Sequence, residues 1–301
     1  MVQLVAEIVK LKEERKAVIL SHLYQPPEIQ DIADYVGDSL GLAQQAAATD
    51  AEVIVSCGVH FMAESASILS PQKVVLLPEA SAGCPMADMV TEEDLRQRKA
   101  EIPGAILVCY VNTSAGVKAL CDIACTSANA ERVIRSLPPD RPILFVPDKN
   151  LGQNIINKTG REMILWEGNC YIHDQLTAAE VKAAKAAYPD ALVLVHPECR
   201  PEVVALADVV SSTTGMIQYA AQSPASRFIV GTERGILHPL GKQCPGKEFI
   251  MASDKLLCVD MKKTTLENIR QALIDMAPRV DVPREVQVPA ARCLDNMLAV
   301  G

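Results

Sequence analysis

The sequence is poor in aromatic rings, with one Trp, four Phe and six Tyr among 301 residues. It also lacks any excess of positive charge, and its net charge is −8. A nucleic-acid-binding surface normally carries a basic stripe and rings on which bases stack. Neither is present, so neither nucleic acid nor an anionic membrane is an expected partner. A local pocket can still hold a small anion whatever the total charge. No apolar run reaches the roughly 18 residues that a membrane span needs. The first residues carry no basic flank, and Glu7 and Lys10 interrupt the apolar pattern, so no export signal is expected and the chain is assigned to the cytoplasm.

Familiar motifs are missing too. No GxGxxG follows the first strand-like run, and no GxxxxGK[ST] occurs. A nucleotide cofactor is therefore not indicated, and serine-hydrolase chemistry is not expected. No two cysteines have CxxC spacing, which argues against a zinc ribbon or a thioredoxin-like motif. Yet there are ten cysteines. In a reducing compartment such thiols are metal ligands or small buried residues more often than disulfides.

What the sequence does have is repetition. Four short apolar runs recur in the same order three times. The first set is Val18-Ile19-Leu20, the weaker Ala33-Asp34-Tyr35-Val36, Val53-Ile54-Val55 and Val74-Val75-Leu76-Leu77. The second is Ile106-Leu107-Val108, Asp122-Ile123-Ala124, Ile143-Leu144-Phe145-Val146 and Met163-Ile164-Leu165. The third is Leu192-Val193-Leu194-Val195, Asp208-Val209-Val210, Phe228-Ile229-Val230 and Phe249-Ile250-Met251. Continuous Val/Ile/Leu runs read as strands buried on both faces, and helix-like stretches between them imply parallel sheets. The expected class is α/β, with three similar αβα modules about a pseudo-threefold axis and a central site. The expected boundaries are 1–87, 88–173 and 174–273, with 274–301 packing back onto the body.

Polar residues keep the same register. Asp34, Asp122 and Asp208 are 88 and 86 residues apart, and so are His22, Tyr110 and His196. Tyr24, Asn112 and Glu198 share that spacing, as do Ser39, Ser127 and Thr213. Ligands of parallel sheets bind beyond the carboxyl ends of the strands. Residues just past equivalent strands therefore converge on one cavity if the three edges face one axis.

Three constellations follow. Cys84, Cys170 and Cys258, 86 and 88 residues apart, each follow the fourth strand of a module. Three thiolates leave one coordination position open, as at a catalytic metal, and both zinc and a [4Fe–4S] cluster suit them. A single buried cysteine is more often a small apolar residue, but periodicity favours ligation here. The second constellation pairs alternate residues past the first strands: His22 with Tyr24, Tyr110 with Asn112, and His196 with Glu198. Of these, His22, Tyr24, Tyr110, His196 and Glu198 carry general acid–base chemistry. The third is Ser39, Ser127 and Thr213, expected as N-caps at helix ends that could also grip anions. His60, His173 and His238 lack the register and are expected to be structural. Gly231-Thr232-Glu233-Arg234-Gly235 reads as a charged turn and a weak signal.

These residues also resemble quinolinate synthase. The resemblance rests on His22-Leu23-Tyr24-Gln25, Gly37-Asp38-Ser39-Leu40, Cys84-Pro85-Met86-Ala87, Tyr110-Val111-Asn112, Thr126-Ser127-Ala128-Asn129, Pro147-Asp148-Lys149-Asn150, His196-Pro197-Glu198-Cys199 and Cys258-Val259-Asp260-Met261. It runs nearly end to end. Leu23 and Asp260 stand where the family usually or often has Asn. The resemblance implies a [4Fe–4S] cluster on Cys84, Cys170 and Cys258 with one open iron acting as a Lewis acid. It implies condensation of iminoaspartate with dihydroxyacetone phosphate to quinolinate, for NAD biosynthesis. It further implies that His22, Ser39, Tyr110, Asn112, Ser127, His196, Glu198 and Thr213 hold substrate, with Tyr24 beside them. An aspartate-oxidising enzyme supplying the imine is a possible functional partner. The alternatives are an iron–sulfur redox protein or oxygen sensor, and a zinc enzyme on the same three cysteines.

Overall fold

A strand buried on both faces needs no polar alternation, and the apolar runs of this chain form such strands. The computed structural model describes residues 2–300. The first sheet contains β1 (Ala17–His22), β2 (Tyr35–Gly37), β3 (Val53–Cys57) and β4 (Val74–Leu76), ordered β2-β1-β3-β4. The second contains β5 (Ile106–Tyr110), β6 (Ile123–Cys125), β7 (Ile143–Val146) and β8 (Ile164–Leu165), ordered β6-β5-β7-β8. The third contains β9 (Leu192–Val195), β10 (Val209–Val210), β11 (Arg227–Gly231) and β12 (Glu248–Met251), ordered β10-β9-β11-β12. All pairings between these twelve strands are parallel. The chain is therefore α/β, with three similar modules, each a four-stranded parallel sheet with helices packed against it.

The aspartate trio explains part of the repeat. Asp34, Asp122 and Asp208 each precede the second strand of a sheet. Their carboxylates accept the amides of Ile19, Leu107 and Val193 at 2.8, 2.8 and 2.7 Å. Their own amides donate to the carbonyls of those same residues at 3.0, 2.9 and 2.9 Å. Each aspartate thus closes both hydrogen-bonding groups of the first strand where the second begins. These three are structural.

The helix Arg284–Val300 lies against the second module. Its buried face, Ala290, Cys293, Leu294 and Met297, joins the core that contains β5, β6 and β7. The loops past the carboxyl ends of all three sheets remain, and they enclose the central cavity.

Candidate active site

One cavity collects residues from all three modules. His22, Tyr24, Ser39, Tyr110, Asn112, Ser127, His196, Glu198 and Thr213 all line it, and so do Cys84, Cys170 and Cys258. Every site residue read from the repeat register is therefore brought to one place.

The cavity cysteines differ from the rest. Among the described residues, Cys84, Cys170 and Cys258 are partly exposed, while the other seven free cysteines are buried. The backbone N–H of the residue three positions on, Ala87, His173 or Met261, lies near each sulfur and favours its thiolate form. Burial pushes the three thiols up, Cys84 to about 12, so without a cation they stay protonated. A metal or cluster that binds thiolates must displace those protons. One soft donor from each module opens onto the shared cavity, and such donors suit a thiolate-bound metal group. Separately, the donor atoms of Cys170, His173 and Glu198 lie within 4.8 Å of one another and could hold a single ion.

The acid–base groups form a connected chain. His22 Nδ1 accepts the Tyr24 amide at 3.1 Å, and His196 Nδ1 accepts the Glu198 amide at 3.3 Å, the same bond in two modules. The ring proton of each is thereby assigned to Nε2, which lets His196 donate to Ser127 Oγ at 3.2 Å. Burial lowers His22 to about 4 and His196 to about 3, so both are neutral at pH 7. Tyr110 donates its hydroxyl to Glu198 Oε1. Burial raises Glu198, but the facing imidazoles of His196 and His173 and the hydrogen bonds from His173 and Tyr110 outweigh it. The carboxylate is held below its usual range. Burial and the nearby Glu198 charge raise Tyr24 and Tyr110 well above 10, so both hydroxyls keep their protons.

His173 corrects the expectation that it is only structural. It lines the cavity, stacks on His196 with centroids 4.5 Å apart, and places Nδ1 2.6 Å from Glu198 Oε2. Its Nε2 lies 2.8 Å from Thr232 Oγ1, which in turn lies 2.6 Å from the Tyr24 hydroxyl. Tyr24, Thr232, His173, Glu198 and Tyr110 therefore form one buried hydrogen-bonded path across the site. His173 precedes no repeated strand, so periodicity could not find it. Its spacing three residues after Cys170 was the available signal.

The expected capping also shifts by one residue. Asp38 and Ser212, not Ser39 and Thr213, cap their helices, accepting the Gly41 and Gly215 amides at 3.0 and 3.3 Å. The cap needs extended backbone, which the preceding residue supplies. Ser39 and Thr213 then begin the helices and line the cavity. Ser127 sits in the turn before Ala130–Ser136, whose cap position is Asn129. Asn112 Oδ1 is buried in the same wall with no partner among the described residues. An unpaired buried carbonyl calls for a donor. Gly37-Asp38-Ser39-Leu40-Gly41 does have the GxSxG spacing of a hydrolase elbow. Ser39 Oγ has no histidine partner among the described residues, so the triad such an elbow requires is not assembled.

Comparison with known proteins bears on this site. The model of the family described as "Quinolinate synthetase A protein" matches residues 6–299. The quinolinate synthase of Desulforudis audaxviator is 56% identical over 298 residues, covering 99% of this chain and 98% of that protein. That of Methanoregula boonei is 57% identical over 294 residues, covering 98% and 97%. That of Methanosarcina barkeri is 51% identical over 298 residues, covering 99% and 98%. Among the described residues, no helix is long and apolar enough to cross a membrane.

Proposed function

The chain belongs to the quinolinate synthase family, and from that premise we propose that it condenses iminoaspartate with dihydroxyacetone phosphate to form quinolinate. Phosphate and two waters leave, and the atoms balance without net oxidation. We place the reaction in NAD biosynthesis in the cytoplasm, downstream of an enzyme that oxidises aspartate to the imine. The carrying observation is that one cavity holds one cysteine and one polar pair from each of the three modules.

In this reading Cys84, Cys170 and Cys258 would hold a [4Fe–4S] cluster, which would supply Lewis acidity for the loss of hydroxide without redox change. The remaining chemistry is assigned to side chains. Glu198, held ionised, takes protons from carbon during condensation and isomerisation. Tyr110 and Tyr24, held protonated, donate to oxygens that gain charge. Neutral His22 and His196 donate from Nε2 and orient the substrate. The hydroxyls of Ser39, Ser127 and Thr213 grip carboxylate or phosphate oxygens, and Asn112 takes an N–H or O–H donor on its free carbonyl. The burial of His22, His196 and Glu198, all 5% exposed or less, keeps bulk water from the hydrolysis-prone imine.

The test is metal and sulfide analysis of protein purified without oxygen, followed by turnover. About four iron and four sulfide per chain, with quinolinate formed from dihydroxyacetone phosphate and freshly generated iminoaspartate, is the expected result. Zinc without sulfide, held by the three cysteines or by Cys170, His173 and Glu198, would replace the cluster assignment. A cluster whose spectrum ignores dicarboxylates would favour a redox protein or oxygen sensor.

A further inference from the structure

Two buried acids to which no step is assigned hold the cysteine loops, and one of them, Glu233, also lines the cavity. Asp148 lies two residues past β7, and Glu233 lies two residues past β11. Both are 0% exposed. Asp148 Oδ2 accepts the Cys170 amide at 3.0 Å, while its Oδ1 accepts the Leu151 amide at 2.8 Å. Glu233 Oε1 accepts the Cys258 amide at 3.2 Å, and its Oε2 accepts the Gly235 amide at 2.7 Å. Equivalent positions in two modules thus do the same work. Each ties a cysteine loop to the end of the third strand of its own sheet.

The first module departs from this. The residue two past β3 is Val59, which has no acceptor. The Cys84 turn is held instead by Gly83, whose amide donates to Asp260 Oδ1 at 3.3 Å, and by the Ala82 carbonyl, which accepts the His60 amide at 2.9 Å. Glu233 has a further link. Lys262 Nζ lies 2.9 and 3.0 Å from its two oxygens and also donates to the Tyr24 carbonyl. Cys258 and the Tyr24 loop of another module therefore share one partly buried ion pair.

We propose that Asp148 and Glu233 are positioning residues that clamp the Cys170 and Cys258 loops, leaving Cys84 as the one thiol whose own amide no carboxylate holds, and that Glu233 with Lys262 locks Cys258 to Tyr24. This rests on the reading that the three thiols hold a common metal group. A loop whose amide is already bonded needs less ordering when a ligand arrives. The Cys84 turn is then the part that orders last on loading and opens first on loss. The Glu233 charge also disfavours an added electron on a cluster beside it, since nearby charge sets cluster potentials.

Hydrogen exchange of the metal-free chain tests the clamp without relying on any metal. The segment around Cys84 is expected to exchange faster than those around Cys170 and Cys258. Glu233→Ala is expected to speed exchange at Cys258 about tenfold and leave Cys170 unchanged, and Asp148→Ala to do the reverse. Unchanged exchange at Cys258 in folded Glu233→Ala overturns the proposal. On protein reconstituted with iron and sulfide, Glu233→Ala should release iron to a chelator about tenfold faster. Glu233→Gln, nearly isosteric and the safer variant for folding, should keep the cluster and shift its midpoint potential upward. A Gln variant with wild-type potential and an Ala variant with wild-type iron release overturn it equally. If wild-type protein takes up no cluster, the proposed function fails, and the exchange measurements still decide the clamp.

Discussion

Two groups of cysteines sit in this molecule under opposite conditions. Cys84, Cys170 and Cys258 line the cavity, one per module, each partly exposed and each with a backbone N–H near its sulfur. Cys109, Cys121 and Cys293 form a second group, buried between the second sheet and the helix Arg284–Val300. Cys109 and Cys293 bring their sulfurs within 3.6 Å, closer than many ligand pairs need. Under the proposed function, position past equivalent strand ends and access to a shared cavity, rather than thiol density, distinguish the ligand cysteines.

The largest effect should separate the two groups outright. Cys258→Ala should abolish cluster binding and lower turnover on the order of a thousandfold, because a Lewis acid supplies several kcal/mol of barrier lowering. Iron and sulfide per chain, measured beside the rate of quinolinate formation, checks it. Equal loss of iron in Cys293→Ala would erase the distinction between the groups.

The next test stays on the cavity side and leaves the thiols alone. Glu198→Gln removes the ionised carboxylate but keeps the shape, so turnover should fall about 10²–10⁴-fold while iron content stays constant. Thr232→Val should cost less. It removes the hydroxyl between Tyr24 and His173 and leaves two buried polar groups unpaired, a loss of about 1–3 kcal/mol. The expected result is a fall in kcat of roughly ten- to a hundredfold with little change in iron. A Thr232→Ser variant that restores the rate would show that the hydroxyl, rather than the packing, matters.

This contrast also shows what the sequence makes legible. The central strands stood out because strands buried on both faces leave unbroken Val/Ile/Leu runs, whereas the partly buried edge strand Tyr35–Gly37 left only a weak run. The cavity cysteines stood out because one register repeats in three modules. The connecting parts did not. His173 belongs to a single module. Asp148 and Glu233 are equivalent, but Val59 breaks their triplet, and Glu233 with Thr232 lay inside what reads as an ordinary charged turn. Capping was misplaced by one residue at Ser39 and Thr213, because Asp38 and Ser212 are equally good caps and only the backbone geometry decides between them. Periodicity finds what symmetry repeats and is blind to the asymmetric groups that join the modules.

On the core side, Cys293→Ala deletes one buried sulfur under the terminal helix. A small cavity there should cost about 1 kcal/mol of stability, read from urea unfolding, with turnover within twofold of the parent. A tenfold loss of activity would mean that the helix communicates with Tyr110, the neighbour of Cys109 on β5.

The smallest effect concerns an anchor outside the cavity. Glu180 caps its helix with Thr177, accepting the Thr177 amide and hydroxyl at 2.9 and 2.7 Å. Its other oxygen accepts Ser253 Oγ at 2.9 Å and lies 3.0 Å from Lys255 Nζ, holding the loop that leads to Cys258. Burial raises the carboxyl, but these hydrogen bonds outweigh it and lower it to about 2. A depressed folded pKa means that the stabilisation is complete above the ordinary carboxylate pKa of about 4.3. It declines as pH falls from there towards 2. The side chain is 25% exposed, so solvent screens part of the effect, and Glu180→Gln should cost no more than about 1 kcal/mol at pH 7. The gap between variant and parent should shrink by more than half between pH 6 and pH 3 in urea titrations. A gap that stays constant over that range would assign the capping box, rather than the charge, as the anchor of the Cys258 loop.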